Sequence, residues 1–285
     1  MSLGSRRRCA VLGSPIAHSL SPVLHRAAYA AADLDWSYDA HDVTEAGLAD
    51  FLDGLDETWR GLSLTMPLKR SVVPLLDSLS SRAEQAQAVN TVILENHGRR
   101  IGHNTDIAGA AAAITERSPE PVRAAVVLGA GATATSALLA LADLGCERVT
   151  LVVRDPQRAQ ETLAAAARHV SPPAVLLRDF DTVTGSDMIG ADVLVSTIPA
   201  SAQSEVVLRL AAEVPLVFDV VYDPWPTPLG AHAASGGSVL VSGLDLLVHQ
   251  AGEQLTLMTG VTDAPLAAMR KAGEAVLDQR AARPG

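Results

Sequence analysis

Aromatic residues are scarce in this chain of 285: three Trp, three Tyr and three Phe, 3% in all. With 48% of residues hydrophobic, the core has to be built from Ala, Leu and Val. That composition suits helices packed on a buried parallel sheet and speaks against an antiparallel sandwich. Cysteine is equally rare. Cys9 and Cys146 lie far apart and without metal-ligand spacing, so they read as buried thiols and fit a reducing, cytoplasmic compartment. No metal site is expected. Long apolar runs are missing, which argues against a membrane span. Residues 1–8 are basic, yet no apolar stretch follows them, and they read as a tail rather than a signal peptide. Positive charge is in deficit overall. The net charge of −10 argues against nucleic acid or an anionic membrane as partner. It leaves a small anionic ligand open, since local donors decide that.

What is present is a strand–helix rhythm. Cys9–Gly13 reads as a strand. Ser21-Pro22 reads as a helix start, with Ser at the N-cap and Pro at the first helical position. Strands are expected at 36–43, 61–65 and 90–95, and helices at 47–55, 71–79 and 82–86. This points to a mostly parallel sheet in the first hundred residues. An Ala-rich helix spans 106–117, and Ser118-Pro119-Glu120-Pro121 breaks it. Beyond lie a fully apolar strand at 124–128, a turn at 129–134, a helix at 135–144, a strand at 148–153 and a helix at 159–169. Buried strands at 193–196 and 216–221 complete a doubly wound pattern. Helices at 244–259 and 264–280 close the chain. The expected fold is α/β: a first α/β domain over 1–105, a Rossmann-type domain over 106–242, and C-terminal helices over 243–285 that return to the first domain.

The second domain carries the clearest chemistry. Gly129-Ala130-Gly131-Ala132-Thr133-Ala134 fits the G-x-G-x-x-G/A pattern, with a strand before it, a helix after it and a second strand at the right distance. Gly129 allows the tight turn, Gly131 lets the backbone approach a pyrophosphate, and Ala134 keeps helix and strand close. The helix N-terminus offers N–H groups and a positive dipole end to the phosphates. Arg154 and Arg158, after the next strand, suit a 2′-phosphate and favour NADP. Asp155 between them suits a ribose 2′-hydroxyl instead. Thr197 and Ile198 follow a buried strand at the edge where the ribose and nicotinamide end would lie. Gly243, at the second domain boundary, joins this cofactor set.

Five polar clusters sit at strand ends outside that unit: 18–22, 65–69, 88–91, 104–106 and 249–250. In open α/β sheets such ends face the ligand crevice. Ser19 and Ser21 place two hydroxyls beside a helix N-terminus, which suits a carboxylate. Lys69 can donate a proton to a carbonyl oxygen. Asn90, Asp106 and Gln250 offer partners for hydroxyl groups.

Taken in order, the stretches 13–22, 65–69, 88–91, 102–106, the glycine turn, 219–224 and Gln250-Ala251 resemble the shikimate dehydrogenase family along nearly the whole chain. The resemblance implies reversible NADP-dependent reduction of 3-dehydroshikimate to shikimate, in aromatic amino-acid biosynthesis. It implies Lys69 and Asp106 as the catalytic pair, and Ser19 and Ser21 on the substrate carboxylate with Tyr222 assisting. Thr65, Asn90 and Gln250 fall to the ring hydroxyls, and Arg154 to the cofactor's phosphate. A homodimer is compatible with it. Three departures stand out. Ser63-Leu64-Thr65 replaces the family's usual Asn-Val-Thr, Val153 and Asp155 flank Arg154, and Asp245-Leu246 replaces a common Gly-Met. Ser63 is expected to keep a backbone contact, and the Asp245 region to alter cofactor geometry slightly. A quinate/shikimate dehydrogenase using NAD is the alternative, kept alive by Asp155. A non-catalytic dinucleotide sensor is more remote, since such a protein is expected to lose Lys69 or Asp106.

Overall fold

The computed structural model describes residues 7–95 and 98–282. The basic tail lies largely outside this range. Two compact units are formed. The described residues up to Thr105 join Val248–Gln279 in the first, and Asp106–Leu247 join the residues from Arg280 in the second.

In the first unit β1 (Arg7–Gly13), β2 (Trp36–Asp42) and β3 (Trp59–Leu64) alternate with α1 (Ser21–Ala31) and α2 (Leu48–Asp53). The chain continues through α3 (Leu68–Ser71), β4 (Ser78–Leu79), α4 (Ser81–Ala86), β5 (Thr91–Leu94) and β6 (Arg100–His103). The sheet order is β2-β1-β3-β5-β6-β4. Both pairings of β5 are antiparallel, so the sheet is mixed, with three parallel pairings among five. The reversal matters for the site. It sets the start of β5, where Ser63 pairs with Thr91, beside the carboxyl end of β3. One face buries Leu12, Leu48, Leu52, Leu62, Leu64 and Leu68, each contributing about 1.5–3 kcal/mol through its removal from water.

Two expected elements differ. The helix at 71–79 is only α3 followed by a 3-10 turn at Val73–Leu75. Pro74 has no N–H to carry a helix onward, and Ser78–Leu79 pairs with β6 instead. Ser21 is the first helical residue, and the N-cap position is Leu20 without a side-chain cap. Ser19 Oγ accepts the Ser21 N–H at 3.3 Å, so the capping oxygen comes from one hydroxyl earlier.

The second unit holds α5 (Asp106–Arg117), β7 (Ala124–Leu128), α6 (Ala132–Asp143), β8 (Arg148–Val153), α7 (Gln160–Ala167) and β9 (Ala174–Asp179). After them come β10 (Val193–Ser196), α8 (Glu205–Ala211), β11 (Leu216–Asp219), α9 (Pro228–Gly236), β12 (Val239–Ser242) and the start of α10 (Gly243–Thr259). All strands are parallel, in the order β12-β11-β10-β7-β8-β9. Counted from β7, this is the doubly wound order 3-2-1-4-5-6 read from the other edge, and it reverses between β7 and β10. From Val248 onward α10 belongs to the first unit, as does α11 (Leu266–Ala281) up to Gln279. Among the described residues no helix is long and apolar enough to cross a membrane.

Candidate active site

In the second unit the glycine turn sits at the reversal of strand order. Gly129 has φ +100°, and a Cβ there would meet Thr197 Oγ1 at 2.5 Å, so both the conformation and the space demand glycine. Thr197 Oγ1 donates to the Leu128 carbonyl at 2.8 Å, which locks the β10 exit against the turn. A Cβ at Gly131 would meet nothing within 4 Å. Helix α6 starts at Ala132, two residues before the expected turn ends, and Gly131 gives it no side-chain cap. Ala130 and Thr133 share this turn, and Ala134 is fully buried against the sheet. An open approach to a helix N-terminus that no side chain caps fits a dinucleotide pyrophosphate.

The end of β8 is exposed at Arg154 and at Arg158. Asp155 Oδ1 accepts the Gln157 N–H at 2.9 Å and caps the 3-10 turn Pro156–Ala159. Its carboxylate is thereby turned onto its own backbone. Ile198 follows Thr197 beyond β10 and is partly buried against the core. Gly243 has a packing reason to be glycine, because a Cβ would be driven into the Val220 carbonyl. Asp245 is buried and accepts from Ser242 N and Ser242 Oγ, both at 2.8 Å, and from Arg117 Nη2 at 2.8 Å. That carboxylate serves the first turn of α10. Asp106, first residue of α5, and Tyr222, beyond β11, also belong to this unit, and Asp106 is buried.

In the first unit the clusters at 65–69, 88–91, 104–105 and Gln250 come together at one end of the sheet. Asn90 Nδ2 donates to Thr105 Oγ1 at 2.9 Å and to Gln250 Oε1 at 3.1 Å. Its Oδ1 accepts from Thr105 N and Thr91 Oγ1. Asn90, Thr105 and Gln250 are all buried. Asn90 precedes its strand rather than following it. It reaches this end only because β5 runs antiparallel. Thr65 follows β3, its N–H on the Leu12 carbonyl. Lys69 is the second residue of α3, and its carbonyl accepts the Val89 N–H at 2.7 Å. Ser63 is paired by its backbone with Val11 and Thr91 in the sheet, and its side chain bonds to Tyr38 at 2.5 Å and Gln254 at 2.8 Å.

Comparison with known proteins accords with this geometry. Residues 11–92 match the shikimate dehydrogenase substrate binding domain, and 243–272 the shikimate 5′-dehydrogenase C-terminal domain. The chain is 36% identical to a "Shikimate dehydrogenase (NADP(+))" of Moorella thermoacetica, over 91% of this chain and 90% of that protein. The chain belongs to the shikimate dehydrogenase family. Among solved structures it is similar to Mycobacterium tuberculosis shikimate dehydrogenase, with TM-score 0.85, 39% identity, and 94% and 99% of the two chains covered. Quinate dehydrogenase from Corynebacterium glutamicum in complex with NAD is also similar, with TM-score 0.84, 28% identity, and 95% and 99% covered.

Several residues in and around these family motifs were given no role from the sequence. Thr105 bridges Asn90 and Gln250. Gln254 lies four residues after Gln250 on α10, a spacing that puts both on one face and was legible as such. Thr162 Oγ1 donates to the Ala130 carbonyl at 3.1 Å and pairs with Thr135 Oγ1 at 2.8 Å, holding the glycine turn from behind. Asp219, at the β11 end, accepts from Thr227 Oγ1 at 2.6 Å and Gln203 Nε2 at 2.9 Å. Burial raises its carboxyl above the usual range against these hydrogen bonds. No pattern of spacing marks Thr162 or Gln203, because their partners are distant in sequence.

Proposed function

We propose that this chain is a shikimate dehydrogenase that reversibly reduces 3-dehydroshikimate to shikimate with NADPH, within aromatic amino-acid biosynthesis. The observation that carries the proposal is the similarity, over nine-tenths of both chains, to a protein named shikimate dehydrogenase (NADP(+)). The hydroxyl and amide cluster at one end of the first unit's sheet supplies matching chemistry for a polyhydroxylated ring.

In this scheme Ser19 and Ser21 hold the substrate carboxylate with Tyr222, and Thr65, Asn90 and Gln250 hold ring hydroxyls. Lys69 delivers a proton from Nζ to the carbonyl oxygen as it becomes a hydroxyl, and takes it back in the reverse direction. Asp106 orients Lys69 and a ring hydroxyl. The turn Gly129–Ala134 would hold the dinucleotide pyrophosphate, Arg154 and Arg158 its 2′-phosphate, and Thr197, Ile198 and Gly243 would border its nicotinamide half. When bound, NADPH supplies the hydride. Asp155 would weigh toward NAD, but its carboxylate already caps its own turn, which supports NADP. Two buried free cysteines are in keeping with a reducing cytoplasm. A homodimer is the assembly to test for, by light scattering.

The similarity to an NAD-bound quinate dehydrogenase makes quinate with NAD the second reading. One spectrophotometric experiment separates them: shikimate and quinate, each with NADP and with NAD. The expected result is fastest turnover for shikimate with NADP. Preference for quinate with NAD would reverse the assignment, and no activity with any pair would reject both.

A further inference from the structure

One buried carboxylate ties together two loops of the second unit. Asp219 ends β11 and is 1% exposed. Three donors meet its two oxygens. Thr227 Oγ1 donates to Oδ2 at 2.6 Å and Gln203 Nε2 to the same oxygen at 2.9 Å, while the Val221 N–H donates to Oδ1 at 3.3 Å. The direction of each bond is fixed by its surroundings. Thr227 Oγ1 accepts the Gly230 N–H at 2.9 Å, and its single proton goes to Asp219. Gln203 Oε1 accepts the Leu229 N–H at 3.0 Å, which puts the amide's NH2 end on the carboxylate. Position 219 therefore needs a group that accepts on both sides. A carboxylate does so, and an amide of the same shape has only one acceptor oxygen. Burying the charge is costly, and charge-assisted hydrogen bonds offset that cost.

The three donors come from telling places in the chain. Val221 and Thr227 lie near the two ends of the loop between β11 and α9, and Tyr222 lies between them. Pro224 and Pro226 bring no N–H of their own to that loop. Gln203 belongs to the loop between β10 and α8, which begins at Thr197 and Ile198. The two loops are also joined at their starts, where the Val220 N–H donates to the Ser196 carbonyl at 3.1 Å. We propose that Asp219 is a positioning residue that clamps the Tyr222 loop at both ends and so presents the tyrosine hydroxyl to the substrate carboxylate. Through Gln203 it also sets that loop against the one given to the nicotinamide half of the cofactor. This role rests on the assignment of Tyr222 to the carboxylate.

The test is KM and kcat for shikimate at saturating NADP, for wild type, Asp219→Asn, Thr227→Val, Tyr222→Phe, and each of the first two variants combined with Tyr222→Phe. In Asp219→Asn the one oxygen stays with Thr227 and Gln203, where the shorter bonds are, and the NH2 end meets the Val221 N–H, donor against donor. The start of the loop is released and its end kept. Thr227→Val keeps the shape of the side chain and releases the end instead. Each is expected to raise KM for shikimate roughly three- to tenfold, the worth of one hydrogen bond. The change in kcat is expected to be far smaller, because carboxylate binding is shared by ground and transition state. Tyr222→Phe is expected to raise KM at least as much. On that background neither Asp219→Asn nor Thr227→Val is expected to add more than about twofold, since no hydroxyl is left to present. A purely structural Asp219 lowers the urea midpoint and leaves KM near wild type, or adds its full effect to that of Tyr222→Phe. Either result, in whichever of the two variants folds, overturns the clamp alone. A Tyr222→Phe chain with wild-type KM takes the hydroxyl out of carboxylate binding and overturns the clamp while the activity stands. A wild-type chain that turns over shikimate with neither NADP nor NAD overturns the functional proposal and the clamp with it.

Discussion

Lys69 is one of two lysines in a chain that carries twenty arginines. Where any cation serves, this chain uses arginine. A guanidinium does not release its proton in proteins, while an ammonium can. Retaining Lys at 69 is therefore what a proton-transfer role requires and what a mere surface charge does not. Lys69→Arg keeps the charge and removes the proton transfer proposed for it. It is expected to lower kcat by about 10²-fold or more, the worth of general acid–base catalysis, with unfolding unchanged. An arginine variant that turns over within a few fold of wild type would remove Lys69 from the reaction. At this scale the sequence was informative about residue type and less so about contacts. Asn90 and Gln250 were read as hydroxyl partners for a ligand, and the bond they make to each other depends on the reversed direction of β5. Asp155 and Asp245 were read against a ligand, and the structure turns both carboxylates onto nearby backbone, because a short acid before a turn or helix finds its own N–H groups first.

Elements were legible where burial is complete. β7 is buried along its whole length, and its apolar run ending in glycine announced strand and turn together. β6 and β9 were not foreseen. β6 is four residues containing Arg, Gly and His and leaves no apolar run, while β9 is a half-exposed edge strand whose short run Ala174–Leu177 follows directly on the Pro172-Pro173 break. The direction of β5 was hidden for another reason: hydrophobic pattern reports which face a strand buries, not which way it runs. Gly243 shows how an element junction can look like a ligand site. As the first residue of α10 it lies against the β11 exit, where a Cβ would run into Val220 backbone atoms. Alanine in a helix is ordinarily worth up to about 1 kcal/mol over glycine. A clash with backbone, which cannot swing aside, costs about 1–3 kcal/mol and outweighs that gain. Gly243→Ala is expected to lower the urea midpoint without changing the slope of the transition. A midpoint equal to or above wild type would show that the junction relaxes freely, and would return Gly243 to consideration as a cofactor contact alone.

For the whole molecule, the buried polar groups set the pH range of stability. The α/β class and the two-unit plan follow from alternating elements, and Cys9 was read as a buried thiol and is one, but the burial of His25 does not follow, since nothing in the sequence around it differs from exposed stretches. Burial holds His25 neutral, with its pKa brought down to about 4 from 6.5. Its sign is that of a group charged more readily when unfolded. Stability is complete above the unfolded value and is lost as pH falls from 6.5 toward 4, because the unfolded chain takes up a proton that the folded one refuses. By pH 5 the loss from this residue is about 2 kcal/mol. On the alkaline side burial pushes the Cys9 thiol up to about 11 from 9.0, so stability falls again as pH rises from 9 toward 11, when the unfolded thiol ionises first. Urea unfolding at pH 7 and pH 5 measures the acid arm, with His25→Gln as the control. Glutamine keeps a donor for Gln254 Oε1, which His25 Nε2 meets at 3.2 Å, but cannot titrate. The variant is expected to be weaker than wild type at pH 7, through lost stacking on Tyr38, and to lose about 2 kcal/mol less than wild type between the two pH values. Equal losses in the two proteins would assign the acid sensitivity to other groups and show that His25 takes up its proton in the folded state, through rearrangement of the polar groups around it.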